Sequence, residues 1–540
     1  MGWSRITLMW VFFLSASLAS AEVNRYVVFF TDKAGSAFST TAPALYLSQR
    51  AIDRRVRQGI LVTDLDLPVN DSYVLGVEAL GVDVFFSTRW MNGVLVQCDA
   101  SLIPAIQGLP FVAGVEFVAP NAKLQNNGRI KKNQRTRSTN TPAKTQAQLH
   151  LIGLDEMQSA GYKGESVSIA IFDSGFQGVD LSAPFQHIFD ENRISIDVSK
   201  DFVYNSSGVF QYDEHGTEVF SVIAAYQEGS FTGGSYEAQY QLYVTEDVNT
   251  EYRIEEYNWL FAAERADSAG VDVINTSLGY YDFDDMSMNY AKADMDGNTT
   301  VITRAAQMAA DRGIVVVCSA GNEGGLAWQI ITAPADANDV LAIANVNSAG
   351  MRAGSSSIGP SADGRIKPDV AAMGVNTSVI LPDGSIGSAS GTSLSSPLVT
   401  SLVAGVWQRY PNLSNKEVID AIRKSASQAN SPDNLIGYGI PNFMAVVNYL
   451  EQHAQENVFE VYPNPAVGDT LMIRPFHPIQ VSSCYVELVS SQGQVVSSFN
   501  TSFSWLDRTF VLDLESVSAG MYYIRISWDK KRYTYKIVKV

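Results

Sequence analysis

The sequence predicts an α/β protein: a mostly parallel sheet with helices on both faces, preceded by a small α/β domain and followed by a small β-sandwich. Three observations carry this. Residues 150–450 alternate near-continuous apolar runs (167–172, 271–274, 314–317, 340–344) with helical spacing (259–268, 303–311). Strands buried on both faces read this way, with helices as the crossovers. Residues 22–120 hold a strand-like run at 26–30, and Val94, Val96 and Cys98 alternate as a half-buried strand does. Between these two features, residues 44–58 have helical spacing and an arginine-rich face expected to be exposed. From residue 457 to 540 the texture is all-β, with short strands at 471–473, 485–489, 510–514, 522–526 and 533–540 separated by turn signals.

The chain has 540 residues, 46% hydrophobic and 17% charged, enough to bury a core in each of several domains. The net charge of −18 argues against a nucleic-acid binder. Residues 1–21 read as a secretory signal peptide, with Arg5, an apolar run at 6–18 and Ala-Ser-Ala at 19–21. The apolar run is shorter than the about 20 residues that a spanning helix needs. No other stretch suits a membrane span, so none is expected after signal cleavage, and the chain is read as a monomer. Cys98, Cys318 and Cys484 fall in three different domains and offer no obvious disulfide. Residues 121–149 form a basic linker: residues 121–150 hold seven Lys or Arg and no acidic residue. Such a stretch cannot bury a core and reads as a cleavable tether.

An unactivated serine hydroxyl is a poor nucleophile, needing a base that is itself oriented. Residues 150–450 supply all three groups. Asp173 follows the apolar run at 167–172, at the carboxyl end of a strand, where open α/β sheets bind ligands. His215 stands at or just before a helix start, since Val219, Phe220, Ile223 and Tyr226 follow at helical spacing. Ser393 lies at the start of another helix, where developing negative charge is stabilised, with Pro397 expected in its first turn. Asn322 follows the strand at 314–317, and its amide can donate to the oxyanion of a tetrahedral intermediate. Each signal alone has an ordinary structural reading, such as a cap or a turn. Their order along one alternating domain does not. GxSxG and the order Ser, Asp, His are both missing, which argues against an α/β-hydrolase esterase.

The segments IFDSG, HGT, SAGN and GTSLSSP resemble the four signature segments of the subtilisin-like serine proteases, in that family's order of acid, histidine and serine. The resemblance implies a secreted serine endopeptidase acting on polypeptides through an acyl-enzyme. In it Asp173 orients, His215 is the general base, Ser393 is the nucleophile and Asn322 holds the oxyanion. Ser277, Leu278 and Gly279 resemble the family strand that pairs with an extended substrate. Position 218, where many members carry a second histidine, holds Glu218. No cofactor or metal site is implied by the residues. Calcium, frequent in the family, finds carboxylates at Asp282, Asp284, Asp285, Asp294 and Asp296 but no recognisable ligand spacing. The competing reading is a surface adhesin or binding protein on an inactive protease scaffold, against which stands a triad intact by residue type.

The flanking domains carry expectations of their own. Residues 22–120 stand where such proteases carry an inhibitory propeptide, the alternative being a permanent N-terminal domain. Residues 457–540, with VYPNP, SQGQVV, AGMYYI and KIVKV in order, resemble the C-terminal sorting domain of the type IX secretion system of Bacteroidetes. That resemblance implies the type IX machinery as partner and export through the periplasm and outer membrane. The outcome is a secreted or cell-surface protein.

Overall fold

The computed structural model describes residues 23–120, 145–456, 458–475, 481–503, 509–528 and 530–540. The expected signal peptide and nearly all of the expected linker lie outside these residues.

The N-terminal domain is a four-stranded antiparallel sheet of β1 (Val23–Phe30), β2 (Asp83–Thr88), β3 (Gly93–Asp99) and β4 (Val112–Pro120), in the order β2-β3-β1-β4. Helices α1 (Gln49–Gln58) and α2 (Asp71–Glu78) accompany it. Alternate residues of β1 and β3 serve two cores. Val28, Val94 and Val96 pack inside the domain, while Val27 and Leu95 face the helices of the next domain.

That next domain is built on seven parallel strands: β5 (Ser168–Asp173), β6 (Lys200–Asp201), β7 (Gln239–Val244), β8 (Val273–Thr276), β9 (Val315–Ser319), β10 (Val340–Val346) and β11 (Val370–Met373). Their spatial order is β11-β10-β9-β8-β5-β7-β6. Every residue of β5 is buried. Ile169 and Ile171 enter the core that holds α3 (His215–Ala224) and α6 (Thr392–Arg409). Ala170 and Phe172 enter the core that holds α4 (Ile254–Ala269) and α5 (Val301–Asp311). A strand clothed on both faces must be apolar throughout, as its sequence is. The helix Gln146–Leu151 already sends Leu149 into this core. The domain therefore begins inside the stretch read as linker. At its other end α7 (Phe443–Glu456) runs past the expected boundary at residue 450.

The arginine-rich face of α1 is a correction. The helix has a hydrogen-bonded Ser48 N-cap and a left-handed Gly59 after it. Arg54 and Arg55, however, are only 1% exposed. Both meet Asp267 of α4, and Arg55 also meets Asp66. Helical spacing reveals a charged face but not an acidic partner on another domain.

The C-terminal domain is a sandwich. One sheet holds β12 (Phe459–Tyr462), β13 (Thr470–Pro475) and β16 (Phe510–Asp513). The other holds β14 (Val481–Ser490), β15 (Val495–Phe503), β17 (Gly520–Trp528) and β18 (Lys531–Lys539). All pairs are antiparallel, and Leu471, Ile473, Val486, Leu488, Ile524 and Ile526 fill one core between the sheets. No described helix is long and apolar enough to cross a membrane. Cys98, Cys318 and Cys484 are buried and unpaired.

Candidate active site

The residues singled out by sequence gather at one rim of the parallel sheet. Asp173 ends β5, Ser277 follows β8, and Asn322 follows β9. His215 is the first residue of α3 and Ser393 the second of α6, and these two helices pack together.

Asp173 is fully buried. Its Oδ1 accepts hydrogen bonds from His215 Nδ1 at 2.7 Å and from the Ser174 N–H at 2.8 Å. The Ser174 hydroxyl reaches on to Asp213 Oδ2 at 2.9 Å. His215 Nε2 is buried and has no hydrogen-bond partner among the described residues. Two glycines permit this approach of β5 to α3. A Cβ on Gly175 would lie 2.5 Å from the Gln211 carbonyl oxygen, and one on Gly216 would lie 2.3 Å from that of Gly175. The glycines in DSG and HGT are therefore steric requirements of the Asp173–His215 contact.

Ser393 does not donate to His215 here. Its Oγ donates to the Ser277 carbonyl at 3.3 Å, and Ser277 Oγ donates back to the Ser393 carbonyl at 3.0 Å. Pro397 explains the second bond. Helix α6 starts at Thr392, so Pro397 stands inside the helix and not in the first turn, a second correction. Proline has no N–H, so the carbonyl four residues earlier, that of Ser393, loses its helical partner. Ser277 supplies a replacement. Asn275, which carries no recognisable signal in the sequence, completes the junction. Its Oδ1 accepts from Ser396 Oγ at 3.0 Å and Thr400 Oγ1 at 2.9 Å, fastening α6 to β8. Only its place in a fully buried strand could have flagged it.

Asn322 Oδ1 accepts from the Thr392 N–H at 2.9 Å and the Thr392 hydroxyl at 3.2 Å. With Oδ1 so held, Nδ2 is the end left to donate elsewhere. Leu278 and Gly279 continue from Ser277 beside the loop that follows β9. Ser319 Oγ donates to the Leu278 carbonyl at 3.4 Å, and Thr332 Oγ1 stands 2.2 Å from where a Cβ on Gly279 would be. Glu218 is buried in α3.

Carboxylates of the acidic stretch accept from backbone N–H groups. Asp285 accepts from Ser287 N, Asp294 from Ala291 N, Asp296 from Asn298 N and Thr299 N, and Asp284 from Glu251 N. Among the described residues no group of three His, Cys, Asp or Glu could hold a metal ion.

A buried Asp–His pair and a serine at a helix start, on the carboxyl rim of a parallel sheet, define a serine-hydrolase-like class. Comparison with known proteins narrows it. Residues 164–439 match the Subtilase family. Residues 25–138 match the Peptidase S8 propeptide domain of Bacteroidota, and residues 460–540 match the secretion system C-terminal sorting domain. Subtilisin of Bacillus pumilus is 30% identical over 294 residues, 54% of this chain and 94% of that protein. Subtilisin NAT of Bacillus subtilis subsp. natto is 29% identical over 276 residues, 50% of this chain and 63% of that protein. The solved structure of the MycP3 protease from the type VII (ESX-3) secretion system is 21% identical, covering 57% of this chain and 89% of its own, with a TM-score of 0.48.

The chain belongs to the subtilase family. It is a serine-type endopeptidase with a Bacteroidota-type propeptide region and a sorting domain that directs it to the cell surface or beyond by a type IX-like pathway.

Proposed function

We propose that Ser393 is the nucleophile of this peptidase, His215 its general base and Asp173 the carboxylate that orients the base. The observation that carries this is the 2.7 Å contact between Asp173 Oδ1 and His215 Nδ1, with His215 Nε2 left unpartnered. A ring held through Nδ1 presents Nε2 as a proton acceptor. In the proposed reaction the Ser393 hydroxyl leaves the Ser277 carbonyl and turns to Nε2. Oγ attacks the peptide carbonyl as His215 takes the proton. Asn322 Nδ2 and the Ser393 N–H stabilise the oxyanion, and His215 then gives its proton to the departing amine. Water hydrolyses the acyl-enzyme by the same steps. Ser277, Leu278 and Gly279 offer their backbone to an extended polypeptide.

Residues 22–120 act in this reading as a propeptide, cut away within the basic segment at 121–144. The experiment pairs a fluorophosphonate probe with peptide cleavage, in the matured protein and in Ser393→Ala. Labelling and cleavage that both vanish in the variant support the assignment. Cleavage that survives Ser393→Ala overturns it. Absence of labelling in matured wild type favours a binding role on an inactive scaffold. An N-terminus near Glu22 in secreted protein excludes propeptide removal.

A further inference from the structure

Three domains meet at the guanidinium of Arg474, on β13 of the sorting domain. The side chain is 8% exposed. Its Nη1 donates to the Arg57 carbonyl of the N-terminal domain at 3.2 Å and to the Asn412 carbonyl of the peptidase domain at 2.9 Å. Its Nη2 reaches Glu417 Oε2 of the peptidase domain at 3.0 Å, and its Nε reaches Glu460 of its own domain at 2.6 Å. Few groups other than guanidinium present so many donors in a fixed fork.

The contact continues on both sides. Gly59 caps α1, and a Cβ there would lie 3.2 Å from the Tyr462 ring and 3.7 Å from Met472 Sδ. The neighbouring Gln58 bridges to the peptidase domain, donating to the Gly313 carbonyl at 2.8 Å and accepting from Asn415 N at 2.9 Å. The C-terminal end of α1 is thus held from two directions at once. The peptidase domain grips it through Gln58, and the sorting domain covers it through Tyr462, Met472 and Arg474.

We infer that the sorting domain has a second function: it clamps the N-terminal domain onto the peptidase domain and so keeps the precursor latent until export is complete. The surface it occupies is composite, so neither the N-terminal nor the peptidase domain offers the whole of it. Loss of either terminal domain weakens the hold on the other. This rests on the reading of the N-terminal domain as a removable propeptide.

The test uses the full chain in a Ser393→Ala background, so catalysis plays no part. A site for an added sequence-specific protease is placed between residues 121 and 144. After the cut, the dissociation rate of the N-terminal domain is followed by a fluorophore on its surface. Arg474→Ala should raise that rate about tenfold or more, because truncating one partner of a buried charge pair acts mainly on dissociation. Arg474→Lys should restore part of the hold. Half-buried Met472→Asp, made in case Arg474→Ala fails to fold, should also speed release. The thermal transition of the sorting domain, followed in parallel, shows that the domain is intact. Equal release rates in all four proteins overturn the clamp but leave the propeptide reading standing. Retention of the N-terminal domain in every protein overturns both.

Discussion

Arg54 of the N-terminal helix donates to Asp267 of the peptidase domain, and neither side chain reaches solvent. Asp267 also receives Arg55 at 2.9 Å and Arg89 at 2.5 Å. One carboxylate therefore accepts from three guanidinium groups at the joint between two domains. Removing one partner of such a buried set leaves uncompensated charge, at a cost of about 3–5 kcal/mol. Asp267→Asn should detach the N-terminal domain, seen by calorimetry as a separate, earlier transition. A single unshifted transition would contradict this.

The same carboxylate predicts an acid limit. Burial pushes the Asp267 carboxyl up, but Arg55, Arg89 and Arg54 pull it further down, to well below the usual carboxylate range. A lowered folded pKa contributes stability that is present above the unfolded value near 3.8 and lost as pH falls through the folded one. Domain docking should hold at pH 5 and weaken progressively below about pH 4. The Asp267→Asn protein should lack this acid-dependent step.

Glu256 predicts the opposite slope. It is buried in α4, accepting from Tyr290 Oη at 2.7 Å and from the Ile302 N–H at 3.2 Å. Burial pushes its carboxyl up to about 7. A raised folded pKa gives stability that is complete below the ordinary value of 4.5 and lost as pH rises through about 7. Denaturant titrations of wild type should lose up to about 3 kcal/mol across that window from this group. Glu256→Gln should flatten the curve there, and an unchanged slope would refute the assignment.

Asn322→Ala should lower kcat by about 10²–10³ with a small change in KM, the effect known for an oxyanion donor in subtilisin itself. Asp173→Asn should lower it by about 10⁴, because the ring then favours the wrong tautomer. Steady-state kinetics on a peptide substrate checks both. An Asn322→Ala defect confined to KM would place Asn322 in ground-state binding instead.

Ser277→Ala tests the repair at Pro397. It strips the Ser393 carbonyl of its hydroxyl donor inside the protein. Leaving a buried acceptor unsatisfied costs about 1–3 kcal/mol. The expected outcome is a lower Tm together with a lower kcat, since the same carbonyl belongs to the proposed nucleophile. Adding Pro397→Ala returns a helical N–H to that carbonyl and should recover part of both.

Much of the fold is legible in the chain because burial is two-sided. Residues 167–172 can only be an inner strand, and the structure sends their alternate side chains into two cores. The candidate site is legible for a related reason, since Asp173 and Asn322 fall at or just beyond strand ends that the apolar runs delimit. Strand β15 is less readable: VVSSFNTSF lies at a sheet edge with much of its length exposed, and its pattern resembles a loop. The burial of Arg54 and Arg55 is not legible at all. It depends on Asp267, more than 200 residues away, and no local pattern encodes that distance. The same holds for Ser277, whose bond to Ser393 spans 116 residues.

Each of the three domains seals one thiol. Cys98, Cys318 and Cys484 are buried, and burial raises all three thiol pKa values, that of Cys484 to about 11. A protonated, covered thiol does not react with alkylating reagents. The chain therefore carries a built-in reporter in each domain. Mass-resolved alkylation during heating or denaturation reads out the order in which the propeptide region, the protease core and the sorting module open, without any engineered label.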